Sequence, residues 1–265
     1  STGLNTVLAN EQVIDGKCWR TGMPVIQKEL PQWFVRTTQY AEELLAGTHE
    51  LSGTWPEAVL TQQRNWIGKS IGAEIDFAVD GRPGEKLTVF TTRPDTVFGV
   101  TFMSIAPEHA LLDKIVPATH RESVERFRTE NRAVSAQERA GDVAEKKGVF
   151  SGAYVINPVN GERVPLWLAN FVVADYGTGA VMAVPAHDTR DFAFAKIYDI
   201  PIKQVIVDER ERSATLAEAY TDIGTMVNSG HFDGMRSDAA KAAITDWLSE
   251  KNLGRKTVTW RLRDW

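Results

Sequence analysis

The stretch AYVINPVNGERVPLWL, residues 153–168, decides the fold class of this chain. Two apolar segments flank Asn160-Gly161, a dipeptide that favours the tight turn of a β-hairpin because both residues tolerate a positive φ. The stretch therefore predicts two antiparallel strands in the central part of the sequence.

Strand patterns also occur on both sides of this hairpin. Residues 71–79, IGAEIDFAV, alternate large apolar residues with small or charged ones, which is typical of a half-buried strand. Further strands are expected at residues 85–91, 101–106, 179–185 and 202–207. The first of these follows the turn DGRPGE, so the strands at 71–79, 85–91 and 101–106 are predicted to form a meander.

Helical patterns dominate the two ends of the sequence. Helices are expected within residues 32–46, from Pro56 onward, within the charged segment 119–142, from about residue 188, and at 236–250. The expected fold class is α/β, with a curved, barrel-like mixed sheet surrounded by helices and with helical or extended connectors at both ends.

Composition narrows the class of protein. With 43% hydrophobic and 25% charged residues the chain is typical of globular proteins, and its net charge of −5 disfavours a general nucleic-acid coat. Cys18 is the only cysteine, which excludes an intramolecular disulfide and a cysteine-rich zinc site. No membrane span is expected. The expected location is the cytoplasm. The sequence begins STGLNTV and ends TWRLRDW, from which a piece of a larger protein is expected.

Two polar segments are candidates for a site. TTRPDT, residues 91–96, is either a strand end with turn chemistry or a polar wall of hydroxyls and one guanidinium facing a pocket. In YGTGAVM, residues 176–182, two glycines suggest a dinucleotide motif, but Met182 replaces the third glycine and a strand follows. The two glycines instead favour a close approach of the backbone to a ligand or a neighbouring strand.

A third segment, AHDTRDFAF at residues 186–194, has three readings. Asp188 and Asp191 suit the first turn of a helix, where carboxylates cap backbone N–H groups and interact favourably with the helix dipole. A metal site would use His187 with the two aspartates, but it needs further ligands, and the other histidines show no ligand spacing. The third reading is a catalytic acid pair.

Taken together in this order, RNWIGKSIG, TTRPDT and EKKGVFSGAYVINPVNGERVPLWLANFVVADYGTGAVMAVPAHDTRDFAFA resemble the editing domain of bacterial leucyl-tRNA synthetases. The resemblance extends from about residue 32 to the end of the chain. Valyl and isoleucyl relatives typically carry histidine where this chain has Met182, and they lack the HDxRD pattern. The implied regions are an N-terminal connector (1–68), an editing core (69–228), and a C-terminal helix with a strand returning to the synthetase body (229–265).

The resemblance implies hydrolysis of the ester in mischarged leucine tRNA. The expected substrates carry isoleucine, valine, norvaline or methionine, and leucine is excluded. Because one methylene discriminates by only about 1–3 kcal/mol, sorting such close analogues needs a second, hydrolytic site. The aminoacylation signatures of the family, an HIGH-like segment and a KMSKS-like loop, are absent from the sequence, so no tRNA charging is expected.

The catalytic group implied by the family is Asp191, Thr91 and Thr92. Asp191 would bind the substrate's α-ammonium through charge-assisted hydrogen bonds. The two threonines would contact the substrate and help to position the attacking water. Asp188 is expected to be a supporting carboxylate at the substrate site.

The other implied substrate contacts have separate roles. Thr96 would project into the side-chain pocket and block leucine, and Arg93 would lie against the adenosine end. Met182 and Val184 would shape the amino-acid pocket, and Tyr176 with Met182 would form the adenine side.

No cofactor or metal is expected for editing, whereas a full-length synthetase would use ATP and Mg. Many bacterial relatives bind zinc through several cysteines near CWR, but only Cys18 is present here. The expected partners are the 3′ end of leucine tRNA with its terminal adenosine, a noncognate amino acid, an adenosine-like or inhibitor ligand, and the synthetase body in cis. The domain itself is expected to be a monomer. The alternatives are a module that only binds tRNA or amino acid, and a metal-dependent hydrolase using His187, Asp188 and Asp191.

Overall fold

The computed structural model describes residues 1–9, 12–14, 16–26, 31, 33–132, 146–172, 178–208 and 216–265. Tyr176 and the second half of the predicted helical segment 119–142 lie outside these residues. The strands are β1 Val13–Ile14, β2 Lys17–Cys18, β3 Lys69–Val79, β4 Lys86–Thr91, β5 Phe102–Ile105, β6 Gly148–Ile156, β7 Arg163–Ala169, β8 Ala180–Ala183, β9 Ile206–Val207, β10 Thr225–Met226 and β11 Gly254–Trp260. The α-helices are α1 Ala41–Glu50, α2 Glu57–Ile67, α3 Leu112–Ile115, α4 Ala118–Arg132, α5 Thr189–Ile197 and α6 Ser237–Glu250.

Seven strands form one mixed sheet in the order β11-β3-β6-β7-β5-β8, with β4 on the opposite edge of β3 from β11. The predicted hairpin is confirmed, because β6 and β7 pair antiparallel around the Asn160-Gly161 turn. β5 and β7 are parallel, and all other neighbours in this sheet are antiparallel. The α/β class with a mixed sheet is therefore confirmed.

Closure of the sheet into a barrel is not confirmed. β4 and β8 contact each other, but in the described part of the chain no hydrogen-bonded pairing joins them, so the sheet stays open. β8 has only four residues, and β4 ends at Thr91, where the chain enters a turn. The sheet is therefore open between these two strands.

The predicted meander is wrong at its third strand. β4 pairs with β3, whereas β5 lies between β7 and β8. A buried 3₁₀ turn, Pro94–Gly99, separates the two strands and leads the chain away from the β3–β4 hairpin. Asn157 holds this turn by donating from Nδ2 to the Val97 carbonyl at 2.9 Å. The local strand pattern could not reveal which neighbours β5 would choose.

The two faces of the sheet are covered by different apolar clusters. The main core contains residues of β3, β4, β5, β6, β7 and β8, together with α3, α4 and α6. On the other face, Phe194 of α5 stacks on Phe102 with ring centroids 5.1 Å apart. Along β8, Met182 belongs to the first cluster and Ala183 to the second, as the alternation of a strand requires. This packing brings the start of α5 to the end of β8.

The C-terminal segment packs against the central sheet. β11 pairs with β3 from Gly254↔Ile75 to Trp260↔Lys69, and α6 buries Ala240, Ile244 and Leu248 in the main core. The boundaries of the three regions proposed from the sequence stay predictions. No helix in the described ranges is long and apolar enough to cross a membrane.

Candidate functional site

The threonine-rich segment 91–96 begins where β4 ends. Thr91 Oγ1 accepts a hydrogen bond from the Arg93 backbone N–H at 2.9 Å, which stabilises the turn out of the strand. Thr92 is exposed beside it, and Pro94 opens the buried 3₁₀ turn. The predicted turn chemistry at the strand end is thus present, whereas a polar wall that faces a pocket stays a prediction.

Arg93 forms an ion pair within this segment. Its Nε donates to the two carboxylate oxygens of Asp95 at 3.1 and 3.0 Å, and its Nη2 lies 2.9 Å from Asp95 Oδ2. Asp95 is fully buried, whereas the Arg93 side chain keeps about a third of its surface exposed. Nη1 also donates to the Thr221 carbonyl at 3.3 Å. The guanidinium is therefore fixed in direction and still reachable from solvent.

Thr96 is 3% exposed and lies in the 3₁₀ turn. Its hydroxyl donates to the Arg93 carbonyl at 2.9 Å. Because Oγ1 and Cγ2 branch from the same carbon, fixing the hydroxyl also fixes the methyl group. The Thr96 side chain is therefore held in one orientation within the turn.

The two aspartates of AHDTRDFAF have different structural roles. Asp188 is the N-cap of α5: its Oδ1 accepts from the backbone N–H groups of Arg190 and Asp191 at 2.8 and 3.1 Å. The Asp191 side chain, although in the first turn, instead accepts from the Val184 N–H through Oδ2 at 2.8 Å. The capping prediction is confirmed for Asp188, whereas Asp191 ties the helix to the end of β8.

Asp191 is buried, and no hydrogen bond from the described residues reaches its carboxylate other than that of Val184. Burial first, and the nearby Asp188 charge second, raise the pKa of this carboxyl from 3.8 to about 7. The Val184 N–H and the Arg190 guanidinium act in the opposite direction. A buried carboxyl with so little compensation is typical of a site that receives a cation or transfers a proton.

The two predicted segments lie side by side. Thr101 donates its N–H to the Ala183 carbonyl at 3.3 Å. A Cβ added to Gly99 would lie 3.1 Å from Val184 Cγ1, so glycine lets the 3₁₀ turn approach the β8–α5 junction closely. Met182 and Val184 are both buried at this junction. The structure thus brings the end of the 3₁₀ turn Pro94–Gly99, which continues from the threonine-rich segment, next to the β8–α5 junction that carries Asp191.

His187 is 6% exposed, and both of its ring nitrogens are used by backbone groups. Nε2 lies 3.0 and 3.1 Å from the amide nitrogens of Val205 and Ile206, and Nδ1 lies 2.9 Å from the Tyr220 carbonyl. Burial lowers the pKa of this imidazole to about 4. Among the described residues, no three His, Cys, Asp or Glu side chains cluster closely enough to hold a metal ion.

Sequence reasoning missed two contributors. Asp95 was read only as a turn residue, although its position two residues after Arg93 is a weak signal for a local ion pair. The segment at Tyr220 and Thr221 carried no signal, because it contacts the site through backbone groups. Tyr220 donates its N–H to the Ala186 carbonyl at 2.8 Å, and the two carbonyls of this segment bind His187 and Arg93.

Comparison with known proteins identifies the family. A family model described as "Leucyl-tRNA synthetase, editing domain" matches residues 64–249. The leucine–tRNA ligase of Oleidesulfovibrio alaskensis is 58% identical over 264 residues, and that of Geotalea uraniireducens is 55% identical over 262 residues. Each match covers 98% of this chain and 32% of the relative, so the chain spans about a third of the length of the curated relatives it matches. A similar solved structure is the ternary complex of Agrobacterium radiobacter K84 AgnB2 LeuRS with tRNA and LeuAMS, at 39% identity and a TM-score of 0.72, covering 100% of this chain and 29% of that one. The chain belongs to the leucyl-tRNA synthetase editing-domain family.

Proposed function

We propose that this chain hydrolyses the ester bond of mischarged leucine tRNA and so proofreads aminoacylation. One observation carries the proposal. Asp191 is 7% exposed, its carboxylate accepts from a single backbone N–H among the described residues, and that N–H belongs to Val184, which lies beside the 3₁₀ turn that follows the threonines. An aminoacyl ester carries an α-ammonium, which is the natural partner of such a group.

Asp191 would act by binding this ammonium. Oδ2 is aligned by Val184, which leaves the second oxygen to accept from the substrate. A cation brought into this site stabilises the ionised carboxylate, and the low-polarity surroundings strengthen the pairing. This ion pair therefore orients the ester without a covalent intermediate, and orientation accounts for much of the catalytic effect.

The threonines at the end of β4 would complete the catalytic group. The Thr91 oxygen accepts from Arg93, so its hydroxyl proton can still be donated to the substrate or to the attacking water. Thr92 is exposed next to it and can hold the water from the solvent side. No charged nucleophile is needed, because the ester is already activated and the tRNA's own hydroxyl can assist.

Selection against leucine would rest on Thr96. Its methyl group is fixed by the hydrogen bond to the Arg93 carbonyl, so it cannot rotate away from a bulky γ-branched substrate. Met182 and Val184 would form the rest of the amino-acid pocket. Side chains of isoleucine, valine, norvaline or methionine would be accepted, and leucine would be excluded.

The tRNA end would enter past Arg93. Arg93 has an exposed face while Asp95 holds its other side, an arrangement suited to the phosphate or ribose next to the terminal adenosine. The similar LeuRS structure is a complex with tRNA, which supports leucine tRNA as the partner here. An adenosine-like inhibitor would occupy the same pocket.

Hydrolysis of isoleucyl-tRNA^Leu by this chain, with and without a chelator, tests the function. We expect turnover that survives chelation and that is lost in Asp191→Ala but kept in Asp246→Ala, which removes an exposed carboxylate on α6. Loss of turnover on chelation would favour a metal-dependent hydrolase using His187, Asp188 and Asp191. Tight tRNA binding without any turnover would favour a module that only binds.

A further inference from the structure

The imidazole of His187 connects three segments of the chain. It lies in the loop between β8 and α5, immediately before the cap residue Asp188 and four residues before Asp191. Its own N–H and that of Asp188 both bond to the Val184 carbonyl, at 2.9 and 3.1 Å. The backbone of His187 thus belongs to the same turn whose first residue, Val184, donates to the Asp191 carboxylate.

The hydrogen bonds of the ring define a single neutral tautomer. The Tyr220 carbonyl can only accept, so Nδ1 must carry the proton. Nε2 is then the unprotonated nitrogen and accepts from the amides of Val205 and Ile206. Each nitrogen has a different partner segment, and the two links can be removed separately.

The hydrogen bond from Nδ1 to Tyr220 leads towards Arg93 in the threonine-rich segment. Tyr220 is followed by Thr221, whose carbonyl accepts from the Arg93 guanidinium at 3.3 Å. The chain of contacts runs from Arg93 through the backbone at residues 220–221 to the ring of His187. It joins the threonine-rich segment to the turn that carries Asp188 and Asp191.

We propose that His187 is a positioning residue of the hydrolytic site: through its Nδ1–H bond to Tyr220 it sets the place of Asp191 relative to Arg93 and Thr96. The Nε2 bonds to β9 and the residue before it serve stability, by satisfying two buried N–H groups. This assignment rests on the proposed function.

Two substitutions separate the roles of the two nitrogens. In His187→Asn the side-chain amide can replace Nδ1–H as the donor to Tyr220, but it cannot reach the amides of Val205 and Ile206. In His187→Gln the longer side chain can place its oxygen near the Nε2 position, and the donor to Tyr220 is lost. Leu112→Ala, in the core at α3, is the matched control for stability lost elsewhere.

Thermal unfolding and steady-state hydrolysis of isoleucyl-tRNA^Leu are measured for all four proteins at a temperature where each is folded. We expect His187→Asn to have the larger drop in Tm with kcat within about three-fold of the parent. We expect His187→Gln to lose about 10- to 100-fold in kcat with a smaller drop in Tm, since a misplacement of about 1 Å can cost ~10²-fold. Leu112→Ala should lower Tm and leave kcat unchanged.

The evidence for positioning is that His187→Asn loses more stability than His187→Gln but keeps more activity. If kcat falls in step with Tm across all variants, or if His187→Asn is the less active of the two, the assignment is wrong. Hydrogen exchange at the Val184 amide supplies a readout that does not need turnover. It should be faster in His187→Gln and unchanged in His187→Asn and Leu112→Ala. Equal protection in the four proteins would overturn the positioning role, whereas a parent without turnover would overturn only the proposed hydrolysis.

Discussion

Replacing Asp191 by asparagine should make the protein more stable and much less active, and the gain in stability should depend on pH. The isosteric amide keeps the oxygen that accepts from Val184, so the fold loses no hydrogen bond. It removes the negative charge from a site where burial raises the pKa of the carboxyl from 3.8 to about 7. The change therefore separates the charge of this residue from its shape.

The sign of the pH effect follows from proton linkage. The folded carboxyl keeps its proton up to about pH 7, whereas the unfolded one loses it near pH 3.8. Between these values the unfolded chain binds fewer protons, so the free energy of unfolding of the parent protein falls as the pH rises. At about 1.4 kcal/mol per pH unit, ionisation costs the folded parent about 4 kcal/mol above pH 7, and Asp191→Asn avoids this cost.

Urea unfolding followed by circular dichroism at pH 5 and pH 8 measures the effect. The stability of Asp191→Asn relative to the parent should grow by about 3 kcal/mol between these two pH values. Asp246→Asn, the same change on an exposed carboxylate of α6, should show no such growth. A constant difference between Asp191→Asn and the parent would refute the conclusion that Asp191 is destabilising when ionised.

The same variant tests whether the Asp191 carboxylate binds the ammonium of the substrate. A hydrogen bond to a charged group contributes about 1.5–3 kcal/mol, so kcat/KM for isoleucyl-tRNA^Leu should fall by about 10- to 150-fold. The neutral amide would also point a donor at the substrate's ammonium. Activity within about three-fold of the parent would show that the carboxylate does not bind this ammonium, whatever the stability data show.

Three further predictions concern the same site. Thr96→Ala should allow hydrolysis of leucyl-tRNA^Leu, whereas Thr96→Val, which keeps the branched shape, should still exclude it; intact leucyl-tRNA in both variants would show that Thr96 is not the block. In the parent, kcat/KM should rise about ten-fold per pH unit up to about pH 7 and then level off, because Asp191 must be ionised to bind the substrate. A kcat/KM that stays constant from pH 5.5 to 7 would contradict this. Asp95→Ala should lower the free energy of unfolding by about 3 kcal/mol, since it leaves the partly buried Arg93 without its carboxylate partner. Chemical denaturation measures the loss. A loss below about 1 kcal/mol would show that water replaces the carboxylate as the partner of the guanidinium.

The features that could be predicted from the sequence are those encoded by a few neighbouring residues. Asn160-Gly161 determines the β6–β7 hairpin because its backbone preference suits a tight turn. Asp188 determines the start of α5 because a carboxylate at this position satisfies two orphan N–H groups. The combination of RNWIGKSIG, TTRPDT and the long stretch that ends in HDTRDFAFA also pointed to the family.

The prediction was wrong or incomplete where distant segments meet. The place of β5 in the sheet depends on the path of the buried turn Pro94–Gly99, and the opening between β4 and β8 depends on where both strands end. Neither is visible in hydrophobic periodicity. A barrel and an open curved sheet have the same alternation along each strand, so the pattern cannot distinguish them.

By itself, then, the sequence determined the secondary-structure elements around the site, the capped helix and the family. Only the tertiary structure showed that Asp188 alone caps the helix, while Asp191 in its first turn is buried and accepts from Val184. It alone decided that His187 is bound by backbone groups more than fifteen residues away along the chain. The physical reason is that capping and turn preferences act over three or four residues. The pKa of a carboxyl and the tautomer of an imidazole depend on which distant groups the packed chain brings beside them.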